Sequence, residues 1–169
     1  MGVMKVGKTR TYRRPSLPRT PTSVVIMSVP AFSDWYEDIL GPDFSARDIF
    51  LGPDPDGEGE AVATLVRYGS PVPGRLSVLW VHGMTDYFFH AHVAQAVAEA
   101  GFNFYALDLR KCGRSRREGQ TWHYSTDFRH YFPELTAALD IIDGPVVPVA
   151  HSTGGLIVPL WAAHLRRND

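Results

Sequence analysis

The chain has 169 residues, 44% of them hydrophobic and 21% charged, with a formal net charge of −1. That describes about one globular domain with enough apolar material for a core, and it gives no bulk attraction to nucleic acid. The lone cysteine, Cys112, leaves no intrachain disulfide. A reducing, cytoplasmic setting is the default expectation, and no apolar run reaches the length of a membrane span.

In chain order, the first 33 residues stand apart. They carry six basic side chains (Lys5, Lys8, Arg10, Arg13, Arg14, Arg19) and no acidic one, and Pro15, Pro18 and Pro21 interrupt them. Residues 1–32 are expected to form a disordered basic tail. The alternative is a binding arm for nucleic acid or an anionic membrane. The apolar stretch VVIMSV (24–29) is short and interrupted for a signal sequence. The folded unit is expected over 33–169.

SDWYEDIL (33–40) reads as a short helix capped by Ser33 or Asp34. ARDIFL (46–51) and AVATLVRYG (61–69) read as strands, and the turn-rich PDPDGEGE (53–60) between them predicts a hairpin. SPVPG (70–74) is a loop. RLSVLWVHG (75–83) is a nearly continuous apolar run, as in a strand buried on both faces. HVAQAVAEAG (92–101) reads as a helix closed by Gly101, FNFYALD (102–108) as a strand, and LRKCGRSRREGQT (109–121) as a basic polar loop. Phe128, Tyr131, Phe132, Leu135, Leu139 and Ile142 fall at helical spacing, so a helix is expected over 125–143. PVVPVA (145–150) is a short strand. GGLIVPLWAAHLRR (154–167) is a helix whose basic end suits its C-terminal dipole. The fold class is therefore α/β: an antiparallel hairpin, then parallel strands with helices on both faces.

Two strand ends carry chemistry. Only His151, Ser152 and Thr153 separate the strand ending at Ala150 from the helix beginning near Gly154. So tight a turn projects Ser152 out of the sheet, and Gly154 and Gly155 leave room around it. The helix start offers free N–H groups to a developing oxyanion. This is the organisation of a nucleophile elbow, with Ala150 at the first glycine position of G-x-S-x-G. VHG (81–83) ends a second buried strand. The backbone N–H of Met84, just after Gly83, is placed to be a second oxyanion donor. His82 in such a turn is a structural histidine.

VLWVHGMTDY, YALDLRKCGRS and VAHSTGG occur in the order and spacing of the α/β-hydrolase superfamily. Over residues 34–169 the chain most resembles the N-terminal half of its lysophospholipase, monoacylglycerol lipase and serine aminopeptidase S33-like branch. DLRKCGRS resembles that branch's D-x-R-G-x-G-x-S segment, with Lys111 where a glycine is usual. The resemblance implies that Ser152 attacks an acyl carbonyl while the Thr153 and Met84 N–H groups hold the oxyanion. His82, Gly83, His151, Gly154 and Gly155 are then structural support. The implied substrate is an acyl ester or lipid-like small molecule, with no cofactor and no metal.

The same resemblance implies a catalytic acid and a histidine after the elbow. The only candidates there are Asp169 and His164. His164 lies 12 residues beyond Ser152, inside the predicted helix, roughly 18 Å along the axis at about 1.5 Å per residue, too far to reach Ser152. His151 leaves the turn in another direction. His82, His90, His92, His123 and His130 match no base position. The chain is thus expected to lack its base and acid and to be nearly inactive alone. Alternatives are a split enzyme completed by a second chain, or a non-catalytic binding module using the basic tail. Pro133, Pro148 and Pro159 also fall where a helix or strand would be damaged, unless Pro133 opens a shorter helix.

Overall fold

The computed structural model describes residues 30–168. Most of the basic tail expected over 1–32 therefore lies outside the described residues. Its last two residues form a short strand, β1 (Ala31–Phe32), paired with β3. Then follow β2 (Tyr36–Asp38), β3 (Gly41–Pro53), β4 (Glu60–Tyr68), β5 (Ser77–Val81), α1 (Ala91–Glu99), β6 (Asn103–Asp108), α2 (Phe132–Ile141), β7 (Val146–Ala150) and α3 (Gly154–Asn168). One sheet contains every strand among the described residues, in the order β1-β3-β4-β6-β5-β7, with β2 also paired to β3. The N-terminal strands are antiparallel, and β5 runs parallel to both β6 and β7. This is the hairpin followed by parallel strands that the sequence predicts.

Alternation along the strands sorts side chains to two cores. Leu65, Leu79, Val81, Tyr105 and Leu107 face α2 and α3, where they meet Leu135, Ala138, Ile157 and Trp161. Val66, Val78, Trp80, Phe104 and Ala106 face the other way, onto Ala94 of α1 and Phe88. A fully buried aliphatic or aromatic side chain contributes about 1.5–3 kcal/mol. The two layers therefore hold the sheet from both faces. The crossover through α1 carries the chain from β5 to β6. The crossover through α2, on the opposite face, returns it past β5 to β7. The strand order thus reverses at β5, and in open α/β sheets the crevice at such a reversal is where ligands bind.

Three expectations need correction. Residues 33–40 form no helix: Tyr36–Asp38 pair with β3 as a strand. Three long-range contacts override the local helical composition. Arg67 and Arg47 stack on Trp35 at 4.0 and 5.1 Å, and Arg114 Nη2 donates to buried Asp38 at 2.7 Å. The helix expected from residue 125 begins later. A 3-10 turn spans Phe128–Tyr131, and Pro133 lies in the first turn of α2, where its missing N–H has no partner to lose.

Pro148 breaks no bond to β5. His151 N–H donates to Val81 O (3.0 Å), and Ser77 N–H donates to Pro145 O (2.9 Å). Backbone groups of alternate strand residues point to the same side, so Val147 and Val149 face β5 and Pro148 faces the free edge. Among the described residues β7 pairs only with β5. Proline is tolerated in that place. Pro159 does lie inside α3.

Candidate active site

The C-terminal ends of β5 and β7 bring the two sequence motifs together. Ser152 has φ +52, the left-handed region that favours glycine. For a serine this conformation stores about 1–3 kcal/mol of strain, and such strain clusters at functional sites. Around it the turn is fixed by backbone hydrogen bonds. His151 N–H donates to Val81 O, Gly154 N–H to His151 O (3.0 Å) and Gly155 N–H to Ser152 O (2.9 Å). Ser152 and His151 are exposed, and Thr153 is half-buried.

Two glycines are dictated by close approach. A Cβ on Gly83 would lie 2.8 Å from Ser152 Cβ, and one on Gly154 would lie 2.5 Å from His82 O and 2.8 Å from Val81 O. The elbow therefore packs directly against the end of β5, and neither position has room for a side chain. Gly155 is different: a Cβ there meets nothing within 4 Å. Among the described residues, the N–H groups of Met84 and Thr153 donate to no backbone or side-chain acceptor, and Ser152 Oγ bonds to no histidine.

His82 is fully buried. Its Nε2 accepts from Leu109 N–H (3.0 Å), which leaves Nδ1 to carry the proton toward Gly83 O (2.8 Å). Burial lowers its pKa below the ordinary imidazole value, against the opposing pull of Asp108. It ties the β5 turn to the β6 turn as a neutral ring. Asp108 reinforces the tie. Its Oδ1 accepts from Phe88 N–H (2.8 Å), and its Oδ2 accepts from Arg114 N–H (3.1 Å) and Arg114 Nη1 (2.9 Å). His164 lies toward the C-terminal end of α3, its ring 5.2 Å from that of Phe132.

Composition and spacing did not single out the supporting shell. Arg110 and Glu134 form a buried bidentate pair, with Nη2–Oε2 at 2.7 Å and Nε–Oε1 at 2.9 Å. Lys111, expected in a polar loop, is buried beside Asp54, Asp56 and Glu58. His123 accepts a short hydrogen bond from Thr85 N–H. The usable signals were Lys111 in place of a glycine and the i, i+2, i+4 spacing of the three acids.

His82, Cys112 and His123 also bring potential ligand atoms within 4.8 Å of one another. Their hydrogen bonds already engage the set: His82 uses both nitrogens, His123 Nδ1 holds Thr85, and Cys112 Sγ donates to Arg110 O (3.2 Å). Burial also pushes the Cys112 thiol pKa up, away from the thiolate a metal prefers. The donor set does not fit a metal.

Clefts of about 640 and 630 Å³ border Phe132 and His164 between α2 and α3, and neither includes Ser152. A smaller one, about 390 Å³, is lined by Ile39, Tyr87, Gly113, Arg114, Arg116 and Trp122, and does not include Ser152 either.

Residues 73–169, more than half of the chain, match the family described as serine aminopeptidase, S33. The chain belongs to this family of α/β hydrolases. Solved structures agree with that fold. An Agrobacterium vitis S4 protein described as a hydrolase superposes with a TM-score of 0.60 at 16% identity, covering 75% of this chain and 47% of that one. Acetyl xylan esterase 1 from Thermoanaerobacterium sp. JW/SL YS485 gives 0.51 at 16% identity, covering 76% and 47%. This S33-family chain thus spans about half the length of the solved structures it matches. No curated protein matches it. Among the described residues no helix is long and apolar enough to cross a membrane.

Proposed function

We propose that the chain carries the nucleophile and oxyanion site of a serine hydrolase acting on carboxylic esters. The observation that supports this most is Ser152 at φ +52 against Gly83, with the Met84 and Thr153 N–H groups uncommitted. Ser152 Oγ would add to the ester carbonyl carbon. The carbonyl oxygen would become an anion held by the two N–H groups. Collapse would expel the alcohol and leave an acyl group on Ser152, which water would hydrolyse. The proton on Oγ must pass to a base and then to the leaving alcohol. None of the described histidines bonds to Ser152, so the base and its acid partner would come from residues beyond those described. An acyl ester or lipid-like small molecule is the substrate class.

A second reading concerns where that base originates. Val147 and Val149 of β7 are 46% and 39% exposed, and Leu156 and Leu160 of α3 are 58% and 50% exposed. This apolar edge suits a complementing polypeptide, as in an enzyme assembled from two chains. Pro148 limits how regularly a strand could pair there.

The test is hydrolysis of p-nitrophenyl butyrate by the purified chain beside Ser152→Ala, with and without added imidazole as a diffusible base. The expected result is no turnover at ordinary enzyme rates, with an imidazole-dependent increment that requires Ser152. Equal rates for the two proteins would refute the nucleophile. Ordinary rates without imidazole would refute the missing base.

A further inference from the structure

Among the described residues, four non-glycine residues adopt left-handed backbone: Thr85 (φ +53), Lys111 (+61), His123 (+60) and Ser152 (+52). Ser152 is the elbow. The other three are joined to one another by hydrogen bonds. His123 N–H donates to Lys111 O at 3.2 Å, and Thr85 N–H donates to His123 Nδ1. Thr85 follows Met84 directly. We propose that His123 is a positioning residue for the oxyanion loop, and that the β3–β4 turn, with Lys111, is the clamp that holds His123 in place.

The geometry works through one peptide plane. The Thr85 N–H belongs to the peptide joining Met84 to Thr85. Fixing that plane fixes ψ of Met84, and the Met84 N–H is the next donor back along the chain. A free loop would sample other planes and point that N–H elsewhere. Pre-set donors stabilise an oxyanion because they need no reorganisation during the reaction.

Only an acceptor on the ring can do this. Nδ1 must therefore be unprotonated, which puts the ring hydrogen on Nε2. The ring is 6% exposed and packs edge-on against His82 at 5.2 Å. It cannot swing out without leaving a backbone N–H unpaired.

The clamp grips His123 on both sides in sequence. Before it, Gln120 Nε2 donates to Glu60 O (3.0 Å), and Thr121 Oγ1 donates to Glu58 Oε1 (2.7 Å). After it, Thr126 Oγ1 donates to Asp56 Oδ1 (2.5 Å). Three carboxylates this close would repel one another. The Lys111 ammonium lies 2.6 Å from Asp54 Oδ2, 2.9 Å from Glu58 Oε2 and 3.7 Å from Asp56 Oδ2. It is the local counter-ion that lets the acidic turn close over residues 120–126. A lysine at position 111, despite its positive φ, thereby acquires a physical reason.

The inference rests on Met84 as an oxyanion donor, so the experiment separates the two claims. The isotopically labelled chain is compared with His123→Asn, whose side-chain oxygen can still accept, and His123→Ala, which cannot. The readouts are Thr85 amide exchange, the His123 ring tautomer by long-range nitrogen–proton spectra, and the rate of Ser152 acylation by p-nitrophenyl butyrate. The expected tautomer carries hydrogen on Nε2. Alanine should speed Thr85 exchange by about tenfold or more and slow acylation by about tenfold, while asparagine retains both. An Nδ1-protonated ring in the wild type overturns the proposal, even if the alanine variant does not fold. So does unchanged Thr85 exchange in the alanine variant, an asparagine variant as defective as alanine, or freed Thr85 with unchanged acylation. If wild-type Ser152 is not acylated at all, the oxyanion reading fails, and the amide comparison alone decides whether His123 holds the loop.

Discussion

Gly83 and Ser152 stand against each other across the ends of β5 and β7, so close that a Cβ on Gly83 would lie 2.8 Å from Ser152 Cβ. The contact binds the turn that carries Ser152 to the loop that follows β5. Gly83→Ala must push the serine or the loop aside. A displacement of about 1 Å is enough to cost catalysis up to about a hundredfold. Ser152 acylation by p-nitrophenyl butyrate should fall by at least tenfold, while circular dichroism still shows a folded chain.

Arg110 and Glu134 tie the β6 turn to α2 in a site where both are buried. Removing one partner strands the other charge away from water, at a cost of about 3–5 kcal/mol. Glu134→Ala should therefore lower the urea midpoint sharply. Replacing both residues with apolar ones of similar volume should restore much of the loss.

His123 predicts a particular pH dependence. Burial, aided by His82 and opposed by Asp86, pushes its pKa down from 6.5 to about 4. The unfolded chain binds a proton near 6.5 that the folded chain refuses, so the contribution of this group is complete above about 6.5 and is lost as pH falls toward 4. Carboxylates titrate in the lower part of the same range. The informative quantity is therefore the difference in Tm between wild type and His123→Asn, which should shrink as pH drops from 7 to 4.

The two prolines of the C-terminal third should behave in opposite ways. Pro159 lies inside α3, where it removes a helical hydrogen bond, so Pro159→Ala should stabilise the chain by about 1–3 kcal/mol in chemical denaturation. Pro148 faces the free edge of β7, so Pro148→Val should leave stability nearly unchanged. It would, however, restore a donor to an exposed apolar edge, and concentration-dependent self-association by light scattering should rise.

How far the sequence was legible can be traced to particular residues. The apolar stretches 75–83 and 102–108 announced buried strands, and the helix between them announced their parallel pairing, because each signal is carried by neighbouring residues. Ser152 and Gly83 were visible for the same reason: tight turns between buried strands and loops need small residues nearby. Tyr36–Asp38 was misread because its pairing depends on Arg114, 76 residues away. Pro148 was misread because its effect depends on which edge its nitrogen faces, and only the register with β5 decides that. The Lys111–His123–Thr85 chain was hidden because each link joins segments that meet only in the folded state.

The central claim is that Ser152 is the nucleophile and lacks its base among the described residues. Without a base to activate water, an acyl group placed on Ser152 should persist instead of turning over. Peptide mapping by mass spectrometry after prolonged incubation with p-nitrophenyl butyrate reads this directly, because p-nitrophenolate leaves without a proton and the buffer slowly takes the one from Oγ. The account predicts one butyryl group enriched on the peptide carrying Ser152 and absent from Ser152→Ala. Butyrylation spread over lysines, with no enrichment at Ser152, would contradict it.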